Sequence, residues 1–196
     1  MTRRRALLAA AAAYLAAATV PATAAERDGV ILPDRLEAAG ATLTLNGTAT
    51  RTYSVLRIRV YVAGLYLEQP ARDADAVLAS PDVKAVVVRY LQPVKRDDAI
   101  AAWRHYLTAN CPAPSCRLPA DALARFEAAL GPVRKGDTQR FLFTPDGVEV
   151  AASEFGPAAT AIPDPTFARL LLATWIGTVP TSEAVKRGLL AGAAPG

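Results

Sequence analysis

Histidine is nearly missing from this chain: His105 is the only one in 196 residues. That scarcity excludes any metal centre built on several imidazoles, and no metal site is expected. A Ser-His-Asp triad would have to recruit His105, which sits in an Ala-rich helical stretch, and no G-x-S-x-G elbow occurs. The glycine-rich phosphate cradles G-x-x-x-x-G-K-[ST] and G-x-G-x-x-G are absent as well. Ordinary hydrolase, NTPase and dehydrogenase readings therefore fall, and no cofactor is expected. Cysteine is almost as rare. Cys111 and Cys116 are the whole set, with four residues between them in Asn110-Cys-Pro-Ala-Pro-Ser-Cys116. They do not form the Cys-x-x-Cys of a redox helix and lack neighbouring histidines for zinc, so a local disulfide is the expectation.

The formal charge of +4 is misleading. Arg3, Arg4 and Arg5 open an N-terminal segment, Ala6–Thr19 follows as an Ala/Leu run, and Ala22-Thr23-Ala24 has the A-x-A form of a cleavage site. The apolar run falls short of the roughly 20 residues a transmembrane helix needs, so it reads as a signal peptide over residues 1–25, cut after Ala24 or Ala25. The twin-arginine route is half-matched, with Ala6 where an aromatic usually follows the arginines; the ordinary secretory route fits better. Without that segment the 22 basic residues lose three members and nearly balance the 18 acidic ones. No later Lys/Arg cluster appears, which removes nucleic acid as a partner. The expectation is a periplasmic or secreted protein whose mature chain, residues 26–196, is one domain without an integral membrane segment.

The densest information lies in Asn46–Leu67, NGTATRTYSVLRIRVYVAGLYL. Asn46-Gly47 reads as a turn between the strand ATLTL (residues 41–45) and a long second strand. Alternation puts Leu56, Ile58, Val60, Val62 and Gly64 on one face, and Arg51, Tyr53, Arg57, Arg59 and Tyr61 on the other. The first face is core; the second meets water, a helix or a ligand.

Along the remaining chain, residues 26–40 read as an irregular lead-in. A short helix is expected over 71–80 and a β-branched strand over 83–91. Helices follow over 97–110, with Ile100, Trp103 and Leu107 on its apolar side, and over 119–130. Residues 135–143 and 148–152 form a hairpin about Pro145-Asp146-Gly147. Asp164-Pro165 starts a helix lined by Phe167, Leu170, Leu171, Thr174 and Trp175, stopped by Gly177. A last helix spans about 181–190. This order suggests an α+β fold, an antiparallel sheet covered on one face by helices.

LNGTATR, RVYVAGLYL, the helix carrying Trp103 and Asn110, GDTQRFLFTPDGVEV and FARLLLATWIGTVPTSEAVKRGLL, in that order, resemble the chalcone isomerase-like family, most closely its bacterial exported branch. The resemblance covers nearly all of the mature chain. It implies the open-faced β-sandwich, with a ligand cleft between an antiparallel sheet and helices on one side. It also implies that Arg51 is the main cation of that cleft. A guanidinium stays charged at any working pH and can hold a carboxylate or phenolate by two parallel hydrogen bonds. In the enzymes of the family this arginine stabilises a phenolate as it closes a ring. Asn110 matches their helical asparagine. Tyr61 stands where they place a threonine, and Trp103 where they place a water-ordering tyrosine; Tyr106, one turn on, could supply the hydroxyl instead.

Bland readings stand beside these. Trp103 and Trp175 suit a core, Asn110 suits a helix C-cap, Tyr53 and Tyr61 suit packing under helices, and Arg57 and Arg59 suit surface ion pairs. The reading that joins them is a non-catalytic monomer holding a small hydrophobic acid, of fatty-acid type. Arg51, Tyr61, Trp103, Tyr106 and Asn110 would form the site. The alternative is an intramolecular lyase acting on a phenolic chalcone, with Arg51 as its electrostatic stabiliser.

Overall fold

A computed structural model describes residues 24–54, 56–151 and 159–192. The expected signal segment lies outside these residues apart from Ala24 and Ala25, which open the first strand. The elements are β1 (Ala24–Arg27), β2 (Val30–Pro33), β3 (Arg35–Ala38), β4 (Ala41–Tyr53), β5 (Ile58–Leu67), α1 (Ala74–Ala79), β6 (Lys84–Tyr90), α2 (Arg96–Ala109), α3 (Ala120–Ala129), β7 (Thr138–Thr144), β8 (Gly147–Ala151), β9 (Thr160–Ile162), α4 (Pro165–Ile176) and α5 (Glu183–Leu189). Strands β3 to β9 form one antiparallel sheet in sequence order, and β1–β2 form a separate ribbon. The α+β reading holds. The lead-in, read as irregular, is three short strands, and β9 was not expected.

Each face of the sheet carries its own core. On one side Ala63, Leu65, Val86, Val88, Phe141 and Val150 pack against Val77 of α1, Leu107 of α2, Phe126 of α3, Trp175 of α4 and Val185 of α5. On the other, Val62, Tyr66, Ala85 and Val87 pack with Leu43 and Leu45 under Val30 and Leu32 of the ribbon. Gly64 belongs to this ribbon face, where a Cβ would stand 2.8 Å from the Leu32 side chain. So RVYVAGLYL is buried on both faces, which explains why it lacks a polar stripe in its second half.

Asn46-Gly47 is not a turn. Strand β4 runs straight through it, and the chain reverses at Ser54–Arg57, where Arg57 N–H donates to Ser54 O at 3.1 Å. Leu45 pairs with Tyr66 and Gly47 with Leu65, which leaves Asn46 as the extra residue of a β-bulge. The bulge swaps the faces of the strand. Leu43 and Leu45 point to the ribbon, while Ala49, two residues after Gly47, points to the helices. Arg51, two further on, therefore lies opposite Tyr61 on the helix side. A second shift leaves Val60 unpaired between Tyr61 and Arg59, so Arg59 turns to the ribbon side. There it meets Asp28 at 2.8 Å. The Thr50 hydroxyl, then Arg59, hold the Asp28 carboxyl below the usual carboxylate range. Simple alternation thus grouped Arg51, Tyr53 and Tyr61 correctly but misplaced Arg59 and Ile58, and Leu56 and Ile58, read as core, are exposed.

The bulged Asn46 is buried and acts as a clasp. Its amide donates to Ala71 O (2.9 Å) and Leu189 O (2.8 Å), and its carbonyl accepts from Ala71 N (2.8 Å). Gly47 lets α5 lie directly on β4: a Cβ there would sit 2.2 Å from Gly188 O. The disulfide expectation is met, with Cys111 bonded to Cys116 in the loop after α2. Among the described residues no group of His, Cys, Asp or Glu could hold a metal, and no helix is long and apolar enough to cross a membrane.

Asn46→Ala should lower the unfolding free energy by roughly 3 kcal/mol, because it strands one buried and two half-buried backbone partners. Gly47→Ala should cost at least about 2 kcal/mol by forcing α5 off the strand. Gly131→Ala, where a Cβ meets nothing within 4 Å, should stay near wild type. Urea denaturation compares the three.

Candidate functional site

Arg51 leaves β4 toward the C-terminal part of α2. One Nη donates to Thr52 O in a short bond, and the other reaches the Tyr106 hydroxyl of α2 at 3.4 Å. Tyr106 in turn donates to Thr181 O at 3.4 Å, and the Tyr61 hydroxyl stands 3.4 Å from Thr181 Oγ1. These contacts lie at the outer limit of hydrogen bonding. Among the described residues Arg51 makes no ion pair; the pairs present are Arg59–Asp28, Arg96–Asp97 and Arg104–Glu127. A half-buried cation is thus neutralised by no side chain there.

Burial raises the Tyr61 phenol above its usual value, opposed by the Thr181 hydroxyl, the Arg51 charge and the Trp175 indole. Among the described residues the Trp175 N–H nevertheless meets no full hydrogen-bond geometry with any partner, although the residue is wholly buried. Tyr90, edge-on to Tyr61 at 6.1 Å, is likewise raised by burial and donates to Gln139 at 2.8 Å. The result is a cluster of donors and hydroxyls around a guanidinium that has no ion pair among the described residues: Arg51, Tyr61, Tyr106, Thr181 and the Trp175 N–H.

Three expected site residues meet here: Arg51, Tyr61 and Tyr106. The other two sit elsewhere. Trp103 packs in the aromatic core, with ring centroids 5.0 Å from Trp175, 5.5 Å from Phe126 and 5.7 Å from Phe141. It touches the cluster only through Trp175. Asn110 is the C-cap of α2 and donates to Tyr106 O (2.9 Å) and Val179 O (2.8 Å), while accepting from Val179 N (3.1 Å). It fixes the α4–α5 loop that carries Thr181, so its role here is to position rather than to contact. Sequence reasoning missed Thr181 and the polar edge of Trp175. Both lie in the quoted TWIGTVPT segment, but helical periodicity marks Trp175 only as core.

Two cavities lie at the other end of the sheet, where Lys84 pairs with Leu67 and Phe143. The larger, about 310 Å³, is lined by Val77, Leu78, Lys84, Phe143, Arg169 and Leu172 among others; the smaller, about 180 Å³, shares Lys84. Neither reaches Arg51. The Lys84 ammonium is spent on Ser80 O and Asp82 O, both at 2.7 Å, and burial lowers its pKa. It serves as a turn clamp.

The chalcone isomerase-like family profile matches residues 24–191. The chain belongs to the chalcone isomerase-like family. No curated protein matches it in sequence. Among solved structures it is similar to a fatty-acid binding protein of Arabidopsis thaliana, with a TM-score of 0.69 at 13% identity over 86% of this chain and 96% of that one. At that identity the likeness establishes the fold, in agreement with the antiparallel sheet and one-sided helical layer.

The raised phenols carry a pH consequence. Tyr61 and Tyr90 keep their protons in the native state after unfolded phenols, near pH 10, begin to lose theirs. The stability they contribute is complete below about pH 9 and falls as pH climbs beyond 10. Urea midpoints across that range should decline, and Tyr61→Phe should flatten the decline; an unchanged slope in that variant would remove Tyr61 from the account.

Proposed function

We propose that this chain is an exported binding protein that takes the headgroup of a small hydrophobic acid at Arg51. The observation carrying this reading is a half-buried guanidinium with no carboxylate partner among the described residues, ringed by two tyrosine hydroxyls, Thr181 and an unsatisfied indole N–H. A carboxylate matches that set. It is the fork-shaped anion a guanidinium binds best, and a second oxygen could satisfy the Trp175 donor that is otherwise costly to bury. The half-buried rings of Tyr61, Tyr106 and Trp103 would meet its chain or ring. The Arabidopsis thaliana neighbour being a fatty-acid binding protein supports a fatty-acid-like ligand. Export rests on Arg3–Arg5, the Ala/Leu run and Ala22-Thr23-Ala24, and the Cys111–Cys116 disulfide suits an oxidising compartment. The protein acts as a monomer in this reading.

Native mass spectrometry of the purified protein should reveal a co-purifying lipid acid, depleted in Arg51→Ala. Titrated with dodecanoate, that variant should bind roughly tenfold to a hundredfold more weakly. Equal affinity in the two proteins would eliminate the arginine clamp.

A second reading, ring closure of a phenolic chalcone, draws on one contact. The Tyr106 hydroxyl lies 3.4 Å from Arg51, so a hydroxyl is near the cation even though Trp103 holds the position the enzymes give to tyrosine. If the site is catalytic, chalcone cyclisation should run faster than its spontaneous rate and drop with Tyr106→Phe. A rate indistinguishable from the buffer blank at high protein concentration discards chalcone as substrate.

A further inference from the structure

We propose that the tip of the β4–β5 hairpin docks on anionic lipid surfaces, with Tyr53, Leu56 and Ile58 entering the interface and Arg57 meeting lipid headgroups. Among the described residues the exposed large apolar side chains are Ile31, Tyr53, Leu56, Ile58 and Val179, and three of the five crowd this one tip. Leu56 is 78% exposed, Tyr53 65% and Ile58 44%. Tyr53 and Ile58 are direct cross-strand partners, so their side chains lie together on one face.

The backbone is shaped to hold them outward. The turn is closed by Arg57 N–H on Ser54 O at 3.1 Å, and Leu56 N–H donates to Ser54 Oγ at 3.3 Å. Ser54 and Arg57 both take left-handed conformations, with φ of 62° and 51°, which residues other than glycine rarely adopt. A surface turn under such constraint, built around an exposed leucine, has no core to serve.

Charge selects the occupant. Between Thr52 and Leu67 there are two arginines beyond the apolar residues and no acid. Arg59 pairs with Asp28 of the ribbon, and among the described residues Arg57 has no ion-pair partner. Apolar and aromatic groups beside the Arg57 guanidinium suit the headgroup layer, where rings and methyl groups enter and a guanidinium stays with phosphate. A protein partner fits less well. A stable interface buries about 1,200–2,000 Å² in total, and three side chains on a convex tip supply only a fraction of it. The register also puts Tyr53 and Ile58 on the face of Arg51 and Tyr61, so this docking would bring the candidate site up to the bilayer. The proposal itself needs none of those site residues, and it stands or falls separately from the ligand reading.

The test is co-sedimentation of the purified protein with vesicles of mixed phosphatidylglycerol and phosphatidylcholine, against phosphatidylcholine alone. Binding is expected to the anionic vesicles and to weaken with salt. Leu56→Ser combined with Ile58→Ser should weaken it about tenfold or more. Arg57→Glu should weaken it about tenfold, while Arg125→Glu, an equal charge change on α3, should leave it unchanged. All the altered residues are exposed, and circular dichroism verifies folding. The proposal is overturned if anionic vesicles do not bind the protein, if the double serine variant binds like wild type, or if Arg125→Glu costs as much as Arg57→Glu. Sedimentation without lipid that reveals a dimer lost in the double serine variant would overturn it in favour of self-association.

Discussion

The helix side of this protein is organised by the meeting of β4 with the end of α5. Asn46 bulges out of the strand and ties the carbonyl of Leu189 to the loop at Ala71, while Gly47 and Gly188 let helix and strand backbones touch. Two consequences come from this one contact. The extra residue turns Arg51 from the ribbon face to the helix face, opposite Tyr61. The same contact anchors α5, whose N-terminal approach carries Thr181 onto the Tyr61 and Tyr106 hydroxyls. Without the bulge, the cation and the hydroxyls around it would lie on opposite faces of the sheet.

The fold was largely legible in the sequence because its signals are local. Asp164-Pro165 does cap α4, with the Asp164 carboxylate accepting from Phe167 N–H at 2.8 Å. The β-branched run of β6 and the Pro-Asp-Gly hairpin also appear where their chemistry puts them. Asn46-Gly47 misled for a physical reason: the pair that best favours a tight turn also suits a bulge followed by a close backbone approach. Only the partner helix, 140 or so residues away in sequence, distinguishes the two. Arg59 was misplaced because the second register shift, at Val60, has no composition signal at all.

The candidate site was half legible. Arg51, Tyr61 and Tyr106 assemble as expected, since strand register and helix periodicity both report on facing. Trp103 and Asn110 turned out to support the site from behind: one fills the aromatic core under Trp175, and the other pins the loop that delivers Thr181. Periodicity shows that a tryptophan is buried. It cannot show that the indole N–H ends up beside a tyrosine hydroxyl without a full bond, which is the feature that turns a packed residue into a prospective ligand contact.

The bulge, finally, bears on how this family member can diverge. The clasp and the cation sit on one strand, with Thr48, Ala49 and Thr50 between Gly47 and Arg51. One residue inserted or deleted in that interval would leave the helix contact in place and send the guanidinium to the ribbon side. Side chains there can drift, but the length cannot. Beyond Tyr53 the constraint relaxes, because Ser54, Leu56 and Arg57 are exposed. The hairpin therefore joins a stem of fixed length to a tip open to change, and new surface behaviour can arise at the tip without disturbing the Arg51 cluster below.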